Sequence, residues 1–103
     1  MKPVIIVSTY PDKKSVNKIA NQVVKKRYAA CVNITKISSI YAWKGKIENT
    51  SEYLALFKTI EKKKNTLKNE IKKTHPYDVP EIVEIDVRSI NKPYLNWLVK
   101  STF

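Results

Sequence analysis

Histidine occurs once in the chain, at position 75, in the run His75-Pro76-Tyr77-Asp78-Val79-Pro80-Glu81. An imidazole nitrogen combined with carboxylate oxygens is an acceptable mixed donor set for copper or zinc. The candidate metal ligands are therefore His75, Asp78 and Glu81. Ligands drawn from one loop bind weakly, and a net charge of +11 repels free cations at low salt. The competing reading gives His75 a packing and hydrogen-bonding role that positions the chain beyond the loop. The only cysteine, Cys31, cannot form a disulfide within the chain, and in an apolar strand its ordinary fate is burial as a small hydrophobe.

Enzyme chemistry finds little to work with. There is no nucleophile elbow, no HExxH and no second histidine, and a Cys31–His75 pair needs an exposed thiol that a strand interior withholds. Gly45 is the single glycine, so no glycine-rich phosphate loop can be written from this sequence, and the standard nucleotide-binding folds are excluded. An acylphosphatase-like site needs an anion cradle followed by an arginine, and Ser8-Thr9-Tyr10-Pro11-Asp12 supplies neither. Trp43-Lys44-Gly45-Lys46-Ile47 lacks the aromatic pattern of RNA-recognition motifs. The expectation is a protein without catalysis.

Charge raises one further class. Twenty basic residues stand against nine acidic ones, which brings nucleic acid into view. Eighteen of the twenty are lysine, however, and only Arg27 and Arg88 could make bidentate contacts. A solvated lysine surface is favoured, and a nonspecific nucleic-acid binder is kept as an alternative whose affinity would fall steeply with salt. No apolar run approaches the roughly 18 residues of a membrane span, so no membrane partner is expected and a cytoplasmic location is. The 103 residues suit a single domain, 1–103.

The elements that must position these residues follow from periodicity. Residues 4–7 are continuously apolar and read as a strand buried on both faces. Val16, Ile19, Ala20, Val23 and Val24 recur at helical spacing behind a cap at Asp12 or Ser15. Residues 29–34 return to strand character, which continues to Trp43; Gly45 then supplies the positive φ of a hairpin turn, and residues 47–60 form the return strand. A lysine-rich helix over 61–74 buries a thin stripe, Leu67 and Ile71 with Ile60 before it. The proline-punctuated loop at 75–80 follows, then a half-solvated strand over 82–88. Asn91 caps a last helix with Pro93 in its first turn and Tyr94, Leu95, Trp97 and Leu98 turned inward. The order is βαββαβ plus a C-terminal helix, the ferredoxin-like arrangement of the α+β class.

The hairpin is too long for its domain. Each arm, 30–43 and 47–60, has 14 residues, about 46 Å at about 3.3 Å each, whereas a 100-residue globule is roughly 35 Å across. Unless a bend around residues 36–39 folds it back, Tyr41 and Trp43 near its tip stand exposed, and such an apolar patch marks an interaction surface. Tyr41 and Trp43 are the expected oligomer contacts.

Several stretches together resemble the CutA family of divalent-cation tolerance proteins: Ala29-Ala30-Cys31-Val32-Asn33-Ile34, Ser39 through Ile47, Lys58-Thr59, His75-Pro76-Tyr77, Pro80-Glu81-Ile82, and Tyr94-Leu95-Asn96-Trp97-Leu98. They span nearly the whole chain in the family's order. The resemblance implies a homotrimer whose long hairpins exchange edges, a fold shared with PII signalling proteins, and binding of copper(II) or another divalent cation. Some bacterial members linked to copper carry a cysteine where Ser8 stands and a histidine where Thr74 stands, so this chain keeps only His75 of that set. A PII-like module holding a small anion or nucleotide in inter-subunit clefts is the alternative, with Lys58 and Tyr77 as cleft residues. The expectation is a cytoplasmic, non-catalytic trimer that binds a divalent cation or senses a ligand.

Overall fold

The structure, a computed structural model, describes all 103 residues as β1 (Pro3–Tyr10), α1 (Lys13–Lys25), β2 (Cys31–Trp43), β3 (Lys46–Ile60), α2 (Lys64–Thr74), β4 (Val83–Asp86) and α3 (Lys92–Ser101). The sheet order is β2-β3-β1-β4 with every neighbouring pair antiparallel. This is the expected ferredoxin-like α+β fold with an added C-terminal helix.

Alternation along β1 divides the molecule into two sides. Val4, Ile6 and Tyr10 point under α1 and α2, where they join Val16, Ile19, Val23, Phe57, Leu67 and Ile71 in one buried core. Ile5 and Val7 point the other way, in register with Lys58 and Leu56 on β3 and with Ile85 and Val83 on β4. That second face is covered only at one end, where Leu98 of α3 packs with Ile60 and Ala30. Val83 and Ile85 remain 44% and 45% exposed.

The hairpin runs straight. Its register is unbroken from Cys31↔Lys58 to Trp43↔Lys46, so no bulge folds it back. β1 supports β3 only as far as Tyr10↔Tyr53, and residues 37–52 continue beyond it as a two-stranded ribbon. The molecule is accordingly 46 Å long against 26 and 21 Å across. Lys44 (φ +50°) and Gly45 (φ +77°) both occupy the left-handed region, the geometry of a type I′ turn. Glycine takes the second of these positions without strain; Lys44 bears the cost at the first.

Several boundaries differ from the sequence reading. β1 continues through Ser8, Thr9 and Tyr10 because β3 supplies pairing partners for all three. Ala29 and Ala30 are buried in the connection before β2, after a turn in which Arg27 adopts φ +62°. β4 shrinks to four residues because β1 offers partners only to Val83–Asp86. α2 begins three residues late, without a side-chain cap, and buries Glu70 beside Leu67 and Ile71. Val24 lies at the margin of the α1 stripe and is 41% exposed. In α3 only Leu98 is buried, while Tyr94 and Trp97 are exposed: a helix packed over one end of a sheet face contacts it along a narrow line.

Candidate functional site

The loop after α2 crosses the C-terminal end of β1, and this crossing builds the most organised polar cluster in the molecule. His75 leaves α2 in extended backbone (φ −69°, ψ 135°), as the following proline demands. Its ring stacks on Tyr10 with centroids 4.2 Å apart at 22°, and Tyr77 flanks it at 5.1 Å. The backbone N–H of Tyr77 donates to Nδ1 at 3.1 Å, which places the ring proton on Nε2. Nε2 donates to the Thr9 carbonyl at 2.9 Å, and Ser8 Oγ lies 3.2 Å from the same nitrogen. Burial holds the imidazole pKa below its ordinary value, against an opposing pull from the Thr9 carbonyl and Glu52, so the neutral ring is favoured.

Tyr77 provides the second tether. Its hydroxyl donates to Glu52 Oε2 at 2.6 Å, joining the loop to the base of the β3 ribbon. Burial and this carboxylate both push the phenol's pKa up, and burial pushes Tyr10 up to about 12. Neither tyrosine ionises near neutral pH.

This arrangement does not assemble the metal set expected from the sequence. Asp78 and Glu81 are exposed, and the chain contains no group of three or more His, Cys, Asp or Glu side chains that could hold an ion. Both ring nitrogens of His75 are already engaged, so a metal at Nδ1 displaces the Tyr77 amide and one at Nε2 displaces a proton and its carbonyl partner. On a single chain, His75, Asp78 and Glu81 as placed here do not form a cage for a divalent cation. Nor is the Ser8–His75 contact a nucleophile–base pair. The base nitrogen facing Ser8 carries a proton directed at Thr9, and Ser8 is fully buried. Cys31 is half-buried on β2, its backbone paired with Lys58.

The two cleft residues stand apart. Lys58 Nζ lies 3.5 Å from the Tyr94 hydroxyl and 5.7 Å from that ring's centroid, beside a recess of about 90 Å³ lined by Ile5, Val87, Ile90 and Leu98. Tyr77 is bound to Glu52, six residues along β3 from Lys58, or about 20 Å at strand rise. A single chain therefore does not bring Lys58 and Tyr77 into one cleft. Tyr41 and Trp43 are 43% and 55% exposed on the ribbon, with Ile40 and Ile47 beside them at 70% and 74%.

Sequence reasoning found His75 and Tyr77, and the family resemblance set the Ser8 position beside His75, but Tyr10, Thr9 and Glu52 were missed. The only signal for these three is strand register: the β1–β3 pairing ends at Tyr10↔Tyr53, leaving Glu52 one residue beyond it.

Comparison with known proteins fits this architecture. Residues 4–101 match the family model described as CutA1 divalent ion tolerance protein. The divalent-cation tolerance protein CutA of Pyrococcus horikoshii is 42% identical over 99 residues, covering 96% of this chain and 97% of the relative. The crystal structure of divalent ion tolerance protein CutA1 from Ehrlichia chaffeensis superposes with a TM-score of 0.96 at 30% identity, over 100% of this chain and 98% of the other. The structure of the periplasmic divalent cation tolerance protein CutA from Archaeoglobus fulgidus gives 0.94 at 33% identity, over 98% and 99%. The periplasmic relative means that likeness alone does not place this chain in the cytoplasm; no helix here is long and apolar enough to cross a membrane. With nearly the whole chain, residues 4–101, matched by the family model, the chain belongs to the CutA1 divalent ion tolerance protein family.

Proposed function

We propose that this chain serves divalent-cation tolerance as a non-catalytic homotrimer. One observation carries the assembly: an unbent ribbon and an apolar sheet face, both left uncovered by the chain's own helices. A ribbon with two free edges and exposed aromatics is marginal by itself and gains stability by pairing. The number three comes from the family resemblance. Hydrogen exchange tests the surface directly: amides of residues 37–52 are expected to exchange slowly in the native protein. Exchange at the rate of an unsupported hairpin would contradict the reading.

Copper(II) or another divalent cation is, in this reading, an encountered ion with no dedicated cage on a single chain. The loop bonds of His75 favour its structural role over ligation with Asp78 and Glu81. Calorimetric titration with Cu²⁺ is expected to give only weak binding, altered little by His75→Ala. Tight binding that His75→Ala abolishes would restore the loop site. A second reading, a small anion or nucleotide between subunits, is favoured by Lys58, whose ammonium has no carboxylate partner and sits at a recess mouth. Titration with ATP against the parent and Lys58→Gln separates it from the first.

A further inference from the structure

The helix side of the molecule carries a charge asymmetry that the fold creates. α1 contains no acidic residue, and α2 contains only Glu70. Glu70 is buried and accepts from Lys26 and Gln22. The other carboxylates that reach this layer are also engaged: Glu61 with Lys64 at 2.8 Å, Glu84 with Lys64 and Lys68, and Asp12 with the Ser15 amide at the start of α1. The remaining acids lie on the hairpin, the loop and the end of β4.

What is left outward is uniformly basic or neutral. At 100° per residue, Lys14, Lys18, Asn21 and Lys25 fall within about 60° of one another, opposite the buried stripe of α1. All four are exposed. On α2 the corresponding positions are Asn65, Asn69 and Lys72, also exposed. None of Lys14, Lys18, Lys25 and Lys72 is in an ion pair. The α1 stripe is roughly 16 Å long, a length over which a nucleic-acid duplex presents about ten phosphate charges.

We propose that this two-helix surface docks the phosphate backbone of a nucleic-acid duplex without sequence selection. Lysine ammoniums and asparagine amides both donate to phosphate oxygens. The stripe has no arginine to read a base edge, since Arg27 is turned to the carbonyls of Lys100 and Phe103 at 3.3 and 2.8 Å. It has no aromatic side chain on which an unpaired base could stack, which favours duplex over single strand. It also has no apolar wedge to enter a bilayer, which sets anionic membrane aside. Total charge alone is equally consistent with a solvated surface; what distinguishes this face is that no carboxylate stands among its outward lysines, the exposed Asp12 and Glu61 lying ahead of the two helices.

The test is fluorescence anisotropy of a labelled duplex of about 20 base pairs with the intact protein, at about 50 and 200 mM salt. Binding at the lower salt is expected to weaken on the order of 100-fold at the higher, as about four neutralised phosphates require. The variant K14Q/K18Q/K25Q/K72Q should lose tenfold or more at low salt and show a flatter salt slope. The variant K2Q/K62Q/K92Q/K100Q removes the same charge away from this face and from the ribbon and should change affinity less than twofold, with circular dichroism verifying that both fold. Absence of duplex binding at low salt, or equal losses in both variants, overturns the proposal. So does tighter binding to single strands or to phosphatidylserine vesicles than to the duplex.

Discussion

The two faces of the sheet are made by the same strands and have opposite surroundings. On the helix side Ile6, Ala55 and Phe57 are fully buried beneath α1 and α2. On the other face Leu56 of β3, beside Phe57, and Val83 and Ile85 of β4 are just as apolar yet stay partly open to water. A solitary domain exposing contiguous apolar surface forgoes roughly 25 cal/mol for every Å² it could cover. The difference teaches that one face folds the chain, while the other is left open for the subunit contacts proposed above.

The largest separation is expected between Phe57→Ala and Leu56→Ala. Emptying the Phe57 site should cost about 3–5 kcal/mol of subunit stability, read as a lower urea midpoint. Leu56→Ala should act chiefly on association, raising the protein concentration at which the assembly dissociates. If both variants shift only the urea midpoint, the two faces are not distinct in role. Next comes Trp43→Ala at the ribbon: the assembly should loosen at least tenfold in dissociation concentration while far-ultraviolet circular dichroism is kept. An unchanged dissociation midpoint counts against a ribbon contact.

Smaller effects probe the loop that clamps the ends of the two central strands. Tyr77→Phe removes the bond to Glu52 and should cost about 1.5–3 kcal/mol, the range for a bond to a charged group, with no change in secondary structure. A neutral result would mean water replaces the phenol. The smallest effect is in pH. His75 has a folded pKa below its ordinary 6.5, so the unfolded chain binds the proton more readily. Its contribution is complete above about 6.5 and is lost as pH falls through the lower folded value. Protonation also places a hydrogen on Nδ1 against the Tyr77 N–H. The urea midpoint should therefore decline between pH 7 and pH 5, and His75→Gln should flatten that decline.

The fold was readable because its signals are local. Val16, Ile19, Ala20 and Val23 repeat at helical spacing, and Gly45 closes the hairpin within two residues. Hairpin length against domain size was enough to place Tyr41 and Trp43 in solvent. The site was readable only in part. His75 and Tyr77 stand out by type, but Ser8, Thr9 and Glu52 meet them through register across 25 to 67 residues of chain. Those contacts turn the imidazole from a candidate ligand into a donor and acceptor already in use. For α3, spacing turned Tyr94 and Trp97 inward with Leu98, whereas only the packing against Ile60 and Ala30 selects Leu98 and leaves the two aromatics exposed.

The central claim, that the uncovered face and the ribbon exist to bind further copies of this chain, is tested most directly by sedimentation equilibrium of the unmodified protein at micromolar concentration. The account predicts one species at three times the 11.9 kDa mass of the chain. A stable species at the single-chain mass would contradict it.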